Sequence, residues 1–245
     1  MTVRSRAARA VALGGLAATG ALLVGACTVD GTPVSDGSTS TETGASGSDG
    51  STSTPSGPSV TSNGSFRVTA APGQPKVIVT VIEDLGCPAC QKFEAIVGPT
   101  LDGYADDTEV AIDYKVISFL DRVYPDHYSS RAANASYCVW HSGDGSLGSA
   151  QTWRKFQSTT FGRQPTEGGP GLTDDELAAI AKQSGAPDVA GCITGGQYAN
   201  EVSATTDETT DDSEFKGTPT VLVNGKEVTV TSAADVEDAV DAAKR

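Results

Sequence analysis

The apolar positions of this chain change their spacing several times, and each change marks an element. Val77-Ile78-Val79-Thr80-Val81-Ile82 is a continuous apolar, β-branched run, the pattern of a strand buried on both faces. Phe66 to Ala70 reads as a shorter strand before it, closed by Pro72, Gly73 and Pro75. From Pro88 the spacing turns helical, with Phe93, Ile96 and Val97 on one face. Gly98-Pro99 is expected to break or kink that helix before Leu101 and Tyr104. Strand spacing returns over Glu109 to Phe119 through Val110, Ile112, Tyr114 and Val116.

Between about residues 125 and 214 the period is helical again. Ser129 or Ser130 is expected to cap a helix carrying Ala132, Ala135, Cys138 and Val139, which Gly143-Asp144-Gly145 ends. Trp153 and Phe156 mark a second helix. Thr173-Asp174-Asp175-Glu176 is a capping box before Leu177, Ile180 and Ala181, with Gly185 as the stop. Pro187 opens a short helix holding Cys192, and Gln197 onward another. Thr220 to Val223 and Lys226 to Val230 then flank Asn224-Gly225, a type I′ hairpin signal. Ser232 is placed to cap a last helix with the stripe Val236, Ala239, Val240 and Ala243. The fold class is therefore α/β, with several helices inserted between the two halves of one sheet.

The first 64 residues carry a different composition. Arg4, Arg6 and Arg9 precede a small and apolar run, Ala10 to Ala26, which has the form of a secretory signal. The sequence Val24-Gly25-Ala26-Cys27 resembles a bacterial lipobox, whose Cys becomes the lipidated first residue. The alternative is an uncleaved anchor. Residues 27–64 are mostly Ser, Thr, Gly, Asp and Pro, too polar to bury a core, and read as a flexible tether. Residues 65–245 form the one domain. Either reading of the leader puts that domain outside the cytoplasm, on a membrane surface, where disulfides persist. Loss of the three arginines takes the formal charge from −14 to −17. Such acidity argues against a nucleic-acid partner.

The chemistry sits at the strand-to-helix junction. Cys87 and Cys90 are separated by Pro88-Ala89, and Pro88 suits a first helical position. Cys87 then lies at or beside the helix N-cap, where unpaired amides and the positive helix end favour a thiolate. Cys90 lies one turn inward and is more shielded. An exposed nucleophile with a resolving partner is a redox dithiol. A Cys-x-x-Cys is also half a zinc site, yet Cys27, Cys138, Cys192, His127 and His141 are scattered singly, without a second ligand-spaced pair. No metal is therefore assigned. An inert structural disulfide is the remaining reading.

Three features together resemble the DsbA-like, thioredoxin-fold disulfide oxidoreductases in their secreted and lipid-anchored bacterial form. They are the run Glu83-Asp84-Leu85-Gly86-Cys87-Pro88-Ala89-Cys90-Gln91-Lys92-Phe93-Glu94, the helical insertion, and Gly217-Thr218-Pro219-Thr220. The resemblance implies a thioredoxin-like fold and a cis Pro219 beside the dithiol, with the backbone at Thr218 pairing with the substrate chain. It also implies no cofactor, substrates that are exported proteins with thiols or disulfides, and a membrane quinone-linked partner that re-oxidises the pair. Two departures stand out. The family commonly buries an acid six residues before the first Cys, where this chain has Val81; Glu83 and Asp84 are expected to face solvent, a proton relay being the other reading. Pro-Ala replaces the Pro-His of the strong oxidases, so a milder oxidant is expected. Thr218 also occurs in isomerase-type relatives, which leaves oxidase, isomerase and reductase open. A redox-inert binding module is the rival of a different class. With Cys27 assigned to lipid and Cys87/Cys90 to redox, Cys138 and Cys192 remain, expected as a structural disulfide, with a second redox pair as the alternative.

Overall fold

A computed structural model describes residues 59–70 and 73–245. The signal segment 1–26, Cys27 and most of the 27–64 tether lie outside the described residues. Six strands form one sheet in the order β1-β2-β4-β3-β5-β6. Its centre is β3 (Val77–Glu83), the apolar run, whose Val77, Val79 and Val81 are wholly buried. Beside it runs β4 (Val110–Val116), parallel and in register from Val77↔Val110 to Glu83↔Val116. On its other side lies β5 (Thr220–Val223), antiparallel, with Val81 opposite Val221. Because β3 is flanked on both sides, its backbone groups are paired and its C-terminal end is fixed in place. That end carries the dithiol.

The outer strands are short. β2 (Phe66–Val68) pairs antiparallel with β4, and β1 (Ser59–Val60) pairs with β2. The tether assigned to 27–64 is therefore too long by its last residues. Ser59–Val60 is strand, and Thr61 closes a turn by accepting the Ser65 amide on its hydroxyl at 3.0 Å. The hairpin from β5 to β6 (Lys226–Glu227) turns through Asn224 and Gly225 at φ 47° and 78°, the left-handed pair that a type I′ turn requires. β6 stops at Glu227, short of the expected Val230.

α1 (Pro88–Tyr104) packs against β4, α3 (Leu147–Gly162) and α7 (Ala233–Lys244). It does not break at Gly98-Pro99. Val97 and Leu101, buried on either side of the proline, hold both halves against the core. Gly98 is close against Glu94, where a Cβ would come within 2.8 Å of the carboxylate. Ile96, expected on the apolar face with Phe93 and Val97, is instead 53% exposed.

The insertion comprises α2 (Tyr128–His141), α3 (Leu147–Gly162), α4 (Asp174–Ser184), α5 (Ala190–Thr194) and α6 (Ala199–Thr210). α2 is its hub, touching the other four. It starts one residue before Ser129, and its N-cap His127 sits at φ 55° with no side-chain cap, so neither serine has the expected capping place. The capping box of Thr173 and Glu176 and the left-handed stop at Gly185 are both present in α4. Aromatic rings join insertion to sheet: Phe66 stacks on Trp140 at 4.8 Å and meets Trp153 edge-on at 5.2 Å, and Trp153 donates to Ser136 Oγ at 2.8 Å.

Candidate active site

Cys87 is the N-cap of α1 and Pro88 its first residue. The Cys87 amide donates to Asp84 O at 2.9 Å, and the Cys87 carbonyl accepts the Gln91 amide at 3.0 Å. No acidic side chain lies in the first turn to oppose a negative charge there. Both sulfurs are free thiols in this structure. The Cys87 thiol is held well below its ordinary range, at about 6. The Cys90 thiol is the largest cause; the Thr218 side chain and the amides of Cys90 and Ala89 add to it, and burial works against it. Cys90 is pushed well above the ordinary range, chiefly by burial and then by Cys87. The two thiols thus differ sharply in acidity although three residues apart.

Cys87 is not the exposed nucleophile that its helix position suggested. It shows 6% of its surface, and Cys90 none. Thr218, 131 residues away in sequence, comes over it, with the Cys87 Sγ 3.4 Å from the Thr218 carbonyl. The Thr218–Pro219 peptide is cis. From there a groove of about 400 Å³ runs along α1 past Phe93 and Ile96, walled on the other side by Pro219, Val228 and Val230. Among the described residues the other two cysteines, Cys138 of α2 and Cys192 of α5, are disulfide-bonded to each other, with Cα atoms 5.9 Å apart.

Glu83 and Asp84 do not face solvent. Both are buried, at 1% and 0% exposure, because the insertion closes over the end of β3. Asp84 accepts from Gly86 N (2.7 Å) and Ser129 Oγ (2.8 Å) on one oxygen, and from Leu120 N (2.8 Å) on the other. Burial still lifts it to about 6. Glu83 is lifted to about 8, by burial first and then by Glu94. It accepts from Gln157, which also accepts from Arg154. Arg154 in turn donates to Glu94 (2.9 Å) and Asp102 (2.8 Å) and lies over the Tyr114 ring at 4.8 Å.

Further contacts hold the Leu85-Gly86-Cys87 turn. Gln164 Nε2 donates to Leu85 O at 2.8 Å and to Cys87 O at 3.1 Å. Tyr124 Oη donates to Gly86 O at 2.5 Å. A Cβ at Gly86 would come within 2.7 Å of both Ser129 Oγ and Tyr124, so only glycine fits. Sequence reasoning did not find Gln164, Tyr124, Ser129 or Arg154 as parts of this site. The Asp-x-Gly spacing of Asp84 and Gly86 was the one readable signal, as an Asx turn.

A thioredoxin-like sheet with a dithiol at the mouth of its first long helix defines a class, the thioredoxin-fold thiol:disulfide oxidoreductases. The family model described as Thioredoxin matches residues 69–242. The oxidised DsbA of Mycobacterium tuberculosis has 33% sequence identity and a TM-score of 0.62, over 74% of this chain and 93% of that one. The reduced disulfide bond oxidoreductase DsbG of the same organism has 33% identity and a TM-score of 0.61, over 72% and 90%. The serine/threonine-protein kinase PknE of Mycobacterium tuberculosis is 36% identical over 115 residues, 45% of this chain. The match spans only 19% of that kinase's length. This chain belongs to the DsbA-like thioredoxin-fold disulfide oxidoreductases.

Proposed function

We propose that Cys87 and Cys90 are the redox pair of an extracytoplasmic enzyme that forms disulfides in exported proteins. The observation carrying this is the acidity gap between the two thiols: Cys87, held at about 6, is largely thiolate at neutral pH, while Cys90 stays protonated. A thiolate that stable is a good leaving group, which favours passing the disulfide on. A substrate thiolate attacks Sγ of Cys87 in the Cys87–Cys90 bond, and Cys90 leaves and takes up a proton. A second substrate thiol then attacks the mixed disulfide and displaces the Cys87 thiolate. Two electrons have passed from substrate to enzyme, and one disulfide has passed the other way.

The groove beside Pro219 supports a substrate presented as extended chain, its backbone pairing at Thr218 and its apolar side chains lying against Phe93 and Ile96. Lipidation at Cys27 after removal of 1–26 would tie the enzyme to the outer face of the cell membrane. A membrane quinone-linked partner then re-oxidises the pair. The support for anchor and partner is the leader's pattern and the family resemblance.

A redox titration against glutathione, followed by brief iodoacetamide labelling at mildly acidic pH, tests the central reading. The expected result is a potential near or above that of glutathione, with label on Cys87 and not on Cys90. A pair that never exchanges with glutathione, or equal labelling of both, would leave the dithiol as a static staple. For the anchor, Cys27→Ala should release the protein from membranes or block its processing.

A further inference from the structure

The sheet has a second face. Val79 and Val81 of β3 and Val221 and Val223 of β5 are buried in the core that α7 shares. Thr80, Ile82, Thr220 and Leu222 alternate with them and point the other way, Thr80 opposite Leu222 and Ile82 opposite Thr220. On that side α6 packs against β4. Next to it those four residues floor a groove of about 460 Å³, with the half-buried Phe215 in its wall.

Two features of the lining lack partners. The first is Lys115 of β4, whose side chain is 9% exposed and lines the groove. Its one ionic neighbour is Glu208, 3.9 Å from Nζ and itself 63% exposed, and Nζ makes no hydrogen bond among the described residues. An ammonium carries three donors, and withdrawing them from water without acceptors is costly. The second is the rim. Asp212, Glu214 and Glu227 are exposed carboxylates there, and none of them forms an ion pair among the described residues. A cleft walled by one sign of charge concentrates its field on whatever enters.

We propose that this groove docks an extended, basic segment of a partner protein. Basic and apolar residues alternating along such a segment put the apolar ones on Ile82, Leu222 and Phe215 and the basic ones against Asp212, Glu214 and Glu227. A main-chain carbonyl of the segment accepts from Lys115. Charge decides against other occupants. Residues 28–58 hold Asp30, Asp36, Glu42 and Asp49 and no basic residue, and a second copy of a chain of net charge −14 brings the same sign. The leader's Arg4, Arg6 and Arg9 leave with residues 1–26 in the proposed processing. The groove along α1 shares only Thr220 and Glu227 with this one, so a segment seated here leaves the Phe93 and Ile96 side free.

The test uses the full chain and a cysteine-free peptide with blocked ends, Lys-Leu-Lys-Thr-Lys-Leu-Lys, beside its counterpart with Glu in place of Lys. Binding is followed by amide ¹H–¹⁵N shifts. The basic peptide should bind saturably and move the amides of Thr80, Ile82, Lys115 and Leu222 while those of Phe93 and Ile96 stay in place. The acidic peptide should not bind. Asp212→Asn with Glu214→Gln should weaken binding about fivefold in dilute buffer and leave it unchanged in about 1 M salt, where exposed charges are screened. Lys115→Met should weaken it about tenfold at both salt levels, because a hydrogen bond from a charged donor is lost.

Absence of saturable binding overturns the proposal, as do shifts confined to Phe93 and Ile96, equal binding of the acidic peptide, or a Lys115→Met protein that binds like wild type. Should Lys115→Met fail to fold, the wild-type shift map and the acidic peptide decide it. Because neither peptide carries a thiol, the result stands even where the dithiol proves inert toward glutathione, which would sink only the proposed function.

Discussion

The two cysteine pairs of this domain share an element and little else. Cys87 and Cys90 lie three residues apart where a central strand feeds a helix, and they are free. Cys138 and Cys192 lie 54 residues apart on two helices of the insertion, and they are bonded. Cys87 occupies an N-cap, where amides of the first turn have no partner inside the helix and can stabilise a thiolate. Cys138 is deep inside α2, where the helix consumes its own amides, while Cys192 lies in the first turn of the five-residue α5. What separates the pairs is that Cys138 and Cys192 are already bonded to each other across two helices, whereas Cys87 stands free at a helix N-cap beside Cys90. Burial alone does not separate the pairs, since Cys87, Cys90 and Cys138 are all nearly inaccessible.

The sharpest way to break this comparison is to exchange the losses. Cys87→Ser should abolish disulfide transfer to a reduced test protein while leaving the denaturation midpoint of the reduced form nearly unchanged at pH 5, where the Cys87 thiol is protonated. Cys138→Ala with Cys192→Ala should do the reverse, costing about 4 kcal/mol in the chain-entropy description of such a loop. Its turnover at a temperature where it stays folded should match wild type. Urea titration and a turnover assay on both variants decide it, and a large turnover loss in the double variant would make the insertion disulfide part of the chemistry.

A smaller effect separates the two regions by pH. Glu83 is raised to about 8 in the folded protein, above its unfolded value near 4.5. Its contribution is therefore fully present below about pH 4 and is lost as pH rises toward 8. Wild type should lose about 2–3 kcal/mol against Glu83→Gln between pH 5 and 7, at about 1.4 kcal/mol per unit. The oxidised protein is the form to use. In the reduced one, Cys87, lowered to about 6, works in the opposite sense: its stabilisation is present above its unfolded value near 9 and lost as pH falls through 6. Parallel stability curves for wild type and Glu83→Gln would show that Glu83 does not titrate in this range.

The smallest effect belongs to the insertion. Thr173→Ala removes the hydroxyl that accepts the Glu176 amide at 3.2 Å, at a cost of about 1 kcal/mol. α4 touches both helices that carry the insertion disulfide, yet the hydrogen bonds of Thr173 go to Glu176 and Leu177 of its own helix and none reaches the dithiol turn. The glutathione equilibrium of this variant should equal that of wild type. A shift there would mean that the insertion's local stability reaches the redox pair.

Most of the elements could be read from the chain because their signals are local. The buried run of β3, the Asn224-Gly225 turn and the capping box of α4 each set their own backbone through residues a few positions apart. Readings failed where a distant neighbour overruled the local signal. Pro99 did not break α1 because Val97 and Leu101 are held in the core. β1 was hidden in the tether because two residues become a strand only when β2 lies beside them.

At the site the same division holds. The sequence by itself determined that Cys87 and Cys90 stand at a strand-to-helix junction with proline at the first helical position, because period, helix start and dithiol spacing are properties of neighbouring residues. Only the tertiary structure decided how accessible and how acidic they are. The cover over Cys87 comes from Thr218, the ties on its turn from Tyr124, Ser129 and Gln164, and the burial of Glu83 and Asp84 from the insertion. Those groups lie tens of residues away along the chain, and a charge responds to the dielectric and the dipoles around it in space.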